Sequence, residues 1–77
     1  MKKKIVVQIP CLNEEKGIAN VIKQIKKITP KSRIIVYDNG SKDQSVQIAK
    51  KNGVEVRFIN KKGKGNVVRS MFSDKID

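Results

Sequence analysis

Three times along the chain a short β-branched run is followed by a polar break and then by apolar residues at helical spacing. Ile5 to Ile9 (IVVQI) is the first run, and Pro10 is expected to stop it, because proline has no N–H for a sheet ladder. Cys11 to Glu15 (CLNEE) reads as the connecting loop, with Asn13 as helix N-cap and Glu14 and Glu15 favourably placed near the helix N-terminus. Ile18, Val21, Ile22, Ile25 and Ile28 then share an arc of about 120° at helical spacing, with lysines on the other side. Thr29 to Ser32 close that helix. Ile34 to Tyr37 is a second run, continuous rather than alternating, as suits a strand covered on both faces. Asp38, Asn39 and Gly40 break it, and Ser41 with Gln44 forms a capping-box pattern. The predicted helix runs from Ser41 to Asn52, its apolar face mainly Val46 and Ala49, with Gly53 at the left-handed C-cap position. Val54 to Ile59 reads as a third strand, Asn60 to Gly65 as a basic glycine loop, and Val67, Val68, Met71 and Phe72 as a third short helix.

The order βαβαβα predicts an α/β fold in one unit spanning residues 1–77. Right-handed crossovers give a parallel sheet of order 3-2-1. In such sheets ligands bind outside the C-terminal ends of the strands. That is where Asp38 and Asn39 are delivered, although an ordinary polar βα turn accounts for the same residues. A fourth strand is expected on the far side of strand 1, so Ile5 to Ile9 becomes an open edge prone to self-association.

Charge and cysteine content narrow the function classes. The 77 residues carry a formal net charge of +11, one cysteine and no histidine. No internal disulfide can form and no zinc-ligand spacing exists, so a reduced, cytoplasmic setting is expected. No apolar run approaches the length of a membrane span, and no signal-peptide core follows the first lysines. The lysines are spread over predicted helix faces and turns, and aromatic residues for stacking on single strands are few. A solvated basic surface explains this pattern, while a small basic module for nucleic acid or anionic lipid stays open. Cys11 lacks an activating histidine and reads as a small buried thiol. The NKKGKG loop has neither a dinucleotide fingerprint nor P-loop spacing, so a diphosphate held at a helix start and a plain basic turn both fit it.

Taken together, IPCLNEE, VYDNGSKDQS and NKKGKGNVVRSMF, each after a predicted strand, resemble the start of a family 2 glycosyltransferase. The resemblance runs from Ile5 to about Phe72 and is nearest in flavour to polyprenyl- or dolichol-phosphate sugar transferases. It implies the Rossmann-like, nucleotide-sugar-binding half of a GT-A domain, with a UDP- or GDP-linked donor and a lipid-phosphate acceptor, and a location peripheral to a membrane. Pro10, Leu12 and Glu14 match positions that line the family's nucleoside pocket. Asp38 and Asn39 match its paired acidic residues, with an amide in the second place that leaves the base preference open. Lys64 and Arg69 match the segment that approaches the donor phosphates. The family's D-x-D, which holds Mg2+ or Mn2+ on the donor diphosphate, is absent from this sequence, as is the later catalytic base. The resemblance therefore implies an N-terminal segment that holds no metal and is inactive alone.

Overall fold

The computed structural model describes residues 5–59 and 64–76, and side chains of 64–67 are left aside. Lysines 2–4 and the part of the basic glycine loop at 60–63 lie outside the described residues. Six elements alternate: β1 (Val6–Cys11), α1 (Ile18–Ile28), β2 (Arg33–Asp38), α2 (Ser45–Lys51), β3 (Glu55–Phe58) and α3 (Lys64–Ser73). The strands form one parallel sheet with β2 between β1 and β3. This is the α/β, Rossmann-like arrangement expected.

The side chains of β2 alternate into two layers. Ile34 and Val36 face α1 and α2, where they pack with Cys11, Ile18, Ile22 and Ala49. Ile35 and Tyr37 face the other way and pack under Met71 of α3, with Val6, Ile59 and Ile76 around them. The sheet is thus covered on both faces, which is why the Ile34–Tyr37 run is continuous. Burying Ile18 and Ile22 contributes about 1.5–3 kcal/mol each.

Several boundaries differ from expectation, each for a local reason. β1 does not stop at Pro10 but continues to Cys11. The carbonyls of Ile5 and Cys11 accept bonds from the N–H groups of Arg33 and Asn39, so odd positions turn their backbone toward β2. Pro10 is an even position, and its missing N–H falls on the side of β1 that no described residue pairs with, so it breaks none of the bonds to β2. α1 begins at Ile18 rather than after Asn13, with Gly17 at the N-cap. Asn13 instead adopts a left-handed conformation (φ 52°). α2 begins at Ser45, four residues later than the capping-box pattern predicts, because Ser41 is drawn into the turn after β2. Of the α1 stripe, Ile18 and Ile22 are sealed, Ile25 is half-buried, and Val21 and Ile28 are exposed. On α2 it is Ile48 that joins Ala49 against the core rather than Val46. Gly53 takes the left-handed C-terminal position as expected (φ 75°).

A polar chain crosses the α3 face. Gln8 Nε2 donates to the Tyr37 hydroxyl (3.0 Å) and to the Met71 carbonyl (2.8 Å), and the Tyr37 hydroxyl donates to Asp74 (2.7 Å). Arg57 pairs with Asp74 and with Glu55 (2.5 Å), and Glu55 also receives Arg33 (2.8 Å). All three strands are thereby tied to the end of α3.

Candidate functional site

The loops after β1 and β2 are stitched into one platform at the strand ends. Asp38, the last residue of β2, is only 1% exposed. Its carboxylate accepts the N–H groups of Gly40 (3.1 Å) and Ser41 (2.9 Å) and the Ser41 hydroxyl, which closes the turn on itself. Gly40 follows with φ 87°, a conformation that favours glycine. From the other loop, the Asn13 N–H donates to Ser41 Oγ (2.9 Å), and Asn13 Oδ1 accepts the Lys42 N–H (2.8 Å). The left-handed backbone of Asn13 is what lets one residue meet the second loop with both groups.

Two further bonds complete the platform. The Glu14 N–H donates to Ser45 Oγ (2.7 Å), and the Glu15 N–H donates to Asp43 (3.1 Å). Asp43 also takes the Ser45 N–H (2.9 Å) and hydroxyl, and so caps α2 in place of Ser41. Partial burial raises the pKa of Asp43, but bonds from Ser45 and the Glu15 N–H outweigh it and leave the carboxyl below its ordinary range. Ser45 is fully buried beneath the two loops.

The sequence-predicted residues divide accordingly. Pro10, Leu12 and Glu14 are exposed along the end of β1, and Asn39 is half-buried directly after Asp38. These five come together at adjacent strand ends. Lys64 opens α3, and Arg69 lies exposed farther along that helix. Neither Glu14 nor Glu15 caps α1 through its side chain. Sequence reasoning missed Asn13 as a bridge and Asp43 and Ser45 as braces, and the Asp43-x-Ser45 spacing was the only signal for the latter pair.

Cys11 lies under this platform, 3% exposed. Burial pushes its thiol up, and the nearby Asp38 charge adds to that against weaker opposing bonds from Ser45 and Ser41. A buried, protonated thiol is a poor nucleophile. Alkylation by iodoacetamide at neutral pH is expected to be at least about tenfold slower in the folded chain than in urea, since thiolate and access are both required. Equal rates would remove Cys11 from the interior.

The chain has counterparts among known proteins. The glycosyl transferase family 2 model matches residues 6–73. The chain belongs to glycosyl transferase family 2. Protein RfbJ of Shigella flexneri is 51% identical over 70 residues, which cover 91% of this chain and 54% of RfbJ. An uncharacterised protein of Methanocaldococcus jannaschii is 44% identical over 68 residues, 87% of this chain and 28% of its own. Glucosyl-3-phosphoglycerate synthase from Mycobacterium tuberculosis, solved with UDP, superposes with a TM-score of 0.78 at 30% identity. That match covers 95% of this chain and 30% of the synthase. The same synthase has been solved with Mn2+, UDP-glucose and phosphoglyceric acid. This family 2 chain thus spans about half the length of RfbJ and less than a third of the others.

The synthase holds Mn2+ together with its nucleotide-sugar ligand. Among the described residues no three histidine, cysteine, aspartate or glutamate side chains converge. The carboxylates of Asp38 and Asp43 are already bonded within the platform. The described residues do not fit a divalent cation, and no step through one is derived for them. No described helix is long and apolar enough to cross a membrane.

Proposed function

We propose that this family 2 chain forms the donor side of a glycosyltransferase, the platform that receives the nucleotide of a nucleotide-sugar. The observation that carries the reading is the braced end of β1 and β2, with half-buried Asn39 beside the exposed Pro10, Leu12 and Glu14. The UDP-bound synthase of like fold supports it. In this reading Pro10 and Leu12 offer apolar surface to the base, and the Asn39 amide donates to and accepts from its edge. Because an amide serves either pattern, UDP- and GDP-linked donors are both candidates. In the same reading Glu14 meets the ribose, Lys64 and Arg69 are the candidates for positive charge on the diphosphate, and Asp38 acts from beneath by fixing the turn that carries Asn39.

The finer form of the proposal is transfer to a polyprenyl phosphate, with the 77-residue chain itself inactive. Turning over the donor needs charge on the leaving diphosphate and a base for the acceptor, and neither is assigned to the described residues. Purified chain with UDP- or GDP-sugar, Mn2+ and polyprenyl phosphate is expected to release no nucleoside diphosphate. Metal-dependent release would overturn that part.

Calorimetric titration with UDP, GDP and their sugars tests the donor reading. Asn39→Ala is expected to weaken nucleotide binding by about 0.5–1.5 kcal/mol for each hydrogen bond lost. Unchanged affinity in the folded variant removes Asn39 from the site. A second reading, favoured by the net charge of +11, is a basic module for polyanions. It predicts oligonucleotide or anionic-vesicle binding that falls steeply with salt and ignores nucleotides.

A further inference from the structure

The charges of the chain are sorted between its two faces. On the α3 face Glu55 and Asp74 are met by Arg33 and Arg57. At the strand ends Asp38 and Asp43 are bonded within the platform, beside Glu14 and Glu15. The layer of α1 and α2 has no such balance. Neither helix contains an acidic residue. Lys23, Lys26, Lys27, Lys50 and Lys51, with Lys31 just after α1, are all exposed. At 100° per residue, Lys23 and Lys27 stand about 140° and 180° round α1 from the buried Ile18. Lys50 and Lys51 stand about 140° and 120° to either side of the buried Ser45. All four therefore point away from the sheet. Lys26 leans across to the Asn52 carbonyl at the end of α2, so the lysines of the two helices form one field.

Cations in the last turn of a helix answer its dipole, and that accounts for a lysine or two on each helix. It does not account for Lys23 or Lys31. Nor does it explain why no carboxylate stands three or four places from any lysine within either helix, while Lys23 and Lys27 repel each other at i, i+4. A surface that carries this repulsion gains when an anionic layer meets it.

We propose that the outer face of α1 and α2 docks on an anionic lipid surface. The chemistry of the cations selects that partner. All six are lysines, compact hydrated charges on flexible stems, which suit a diffuse layer of headgroups. Arg33 and Arg57, whose planar forks grip single phosphates, are spent on the other face. Val56 packs toward α1 and α2, so Phe58, two residues on, faces the same way. Its exposed ring lies 6.0 Å from the Lys50 ammonium. One ring is too few to stack successive bases, but it can enter the headgroup boundary beside the lysines. Both helices start near the platform and run to the opposite end of the sheet, so a contact through these lysines leaves the platform uncovered.

Flotation of the 77-residue chain with phosphatidylcholine vesicles, with and without phosphatidylglycerol, tests the proposal. Binding is expected only with phosphatidylglycerol, and it falls as NaCl rises. A lysine near such a surface is worth about fivefold, so glutamine at Lys23, Lys27, Lys31 and Lys51 together should weaken binding about a hundredfold or more. These positions are exposed, and relief of the Lys23–Lys27 repulsion should leave the urea midpoint unchanged or slightly raised. Glutamine at Lys2, Lys3, Lys4 and Lys75 removes the same charge elsewhere and should leave most of the binding. No binding to the anionic vesicles overturns the proposal. Equal loss in the two variants does so too, because net charge rather than this face would then be responsible. If duplex DNA at equal phosphate concentration strips the chain from the vesicles, the face belongs to nucleic acid and the proposal falls. It does not rest on the donor reading: a chain that binds vesicles but no nucleotide would sink only the latter.

Discussion

Asp38→Ala is expected to destabilise the chain by about 2–4 kcal/mol, the cost of leaving several partly buried donors without an acceptor. Alanine puts no acceptor in place of its carboxylate, at which the Gly40 and Ser41 N–H groups and the Ser41 hydroxyl all point. Ser41 in turn receives Asn13, so the loss spreads to the β1 loop. A 77-residue domain has a total stability of only about 4–12 kcal/mol at usual values per residue. The variant therefore loses a large fraction of what holds it folded. Asp38→Asn should fall between parent and alanine. An amide oxygen can keep the two backbone bonds, and its NH2 group can donate to Ser41 Oγ in exchange. Urea unfolding followed by circular dichroism gives the order. An alanine variant as stable as the parent would show that the turn closes without this carboxylate. The order also bears on the donor site: loss of nucleotide binding in Asp38→Ala reports the turn, and only Asn39→Ala reports the base contact.

Much of the fold was legible because it rests on local patterns. Ile34 to Tyr37 is apolar without interruption, and only a strand covered on both faces uses such a run. Gly53 sits where a left-handed residue must end α2. The misplaced boundaries came from contacts between loops. Ser41 and Gln44 satisfy a capping box on paper, but Asp38 and Asn13 take the Ser41 hydroxyl first, and Asp43 takes over the cap. Nothing in the order of residues 38–45 says which acceptor wins. Pro10 was misread for a different reason: whether its missing N–H breaks a ladder depends on which side of β1 has a neighbour. Asp38 and Asn39 were legible as strand-end residues because a parallel sheet collects its loops at one end, whereas Pro10, Leu12 and Glu14 were singled out only by the resemblance to the family. The Gln8–Tyr37–Asp74–Arg57 chain was not, since it joins residues from three strands and the end of α3 that share no periodicity.

That chain is expected to make stability depend on pH at both ends of the scale. The Tyr37 hydroxyl and then Arg57 hold the Asp74 carboxyl below its ordinary range, and Arg33 and then Arg57 do the same for Glu55. A carboxyl with a lowered folded pKa stabilises above its unfolded value and loses that contribution as pH falls through the lower one. The acid loss therefore falls below about pH 4, where unfolded carboxyls begin to bind protons that the folded chain refuses. Tyr37 behaves oppositely: burial, and then its bond to Asp74, raise its pKa above the ordinary value of 10.0. Its contribution is complete below about pH 10 and disappears as pH climbs through the raised value. Cys11, also raised from 9.0, adds to the alkaline loss. Stability should be level between these limbs. Asp74→Asn is expected to flatten the acid limb by up to one proton's share of the slope, and Tyr37→Phe should do the same to the alkaline limb. Arg57→Ala removes both pairs at once. It should accelerate amide exchange in the last turn of α3 while leaving β1 and β2 protected, because one link between the helix end and the sheet is then gone, leaving the Gln8 and Tyr37 bonds and the Met71 contact. Urea midpoints from acid to alkaline pH, with exchange on the Arg57 variant, measure all three. Parallel profiles in parent and Asp74→Asn, together with unchanged α3 exchange in Arg57→Ala, would mean that apolar contact rather than this polar chain fastens α3.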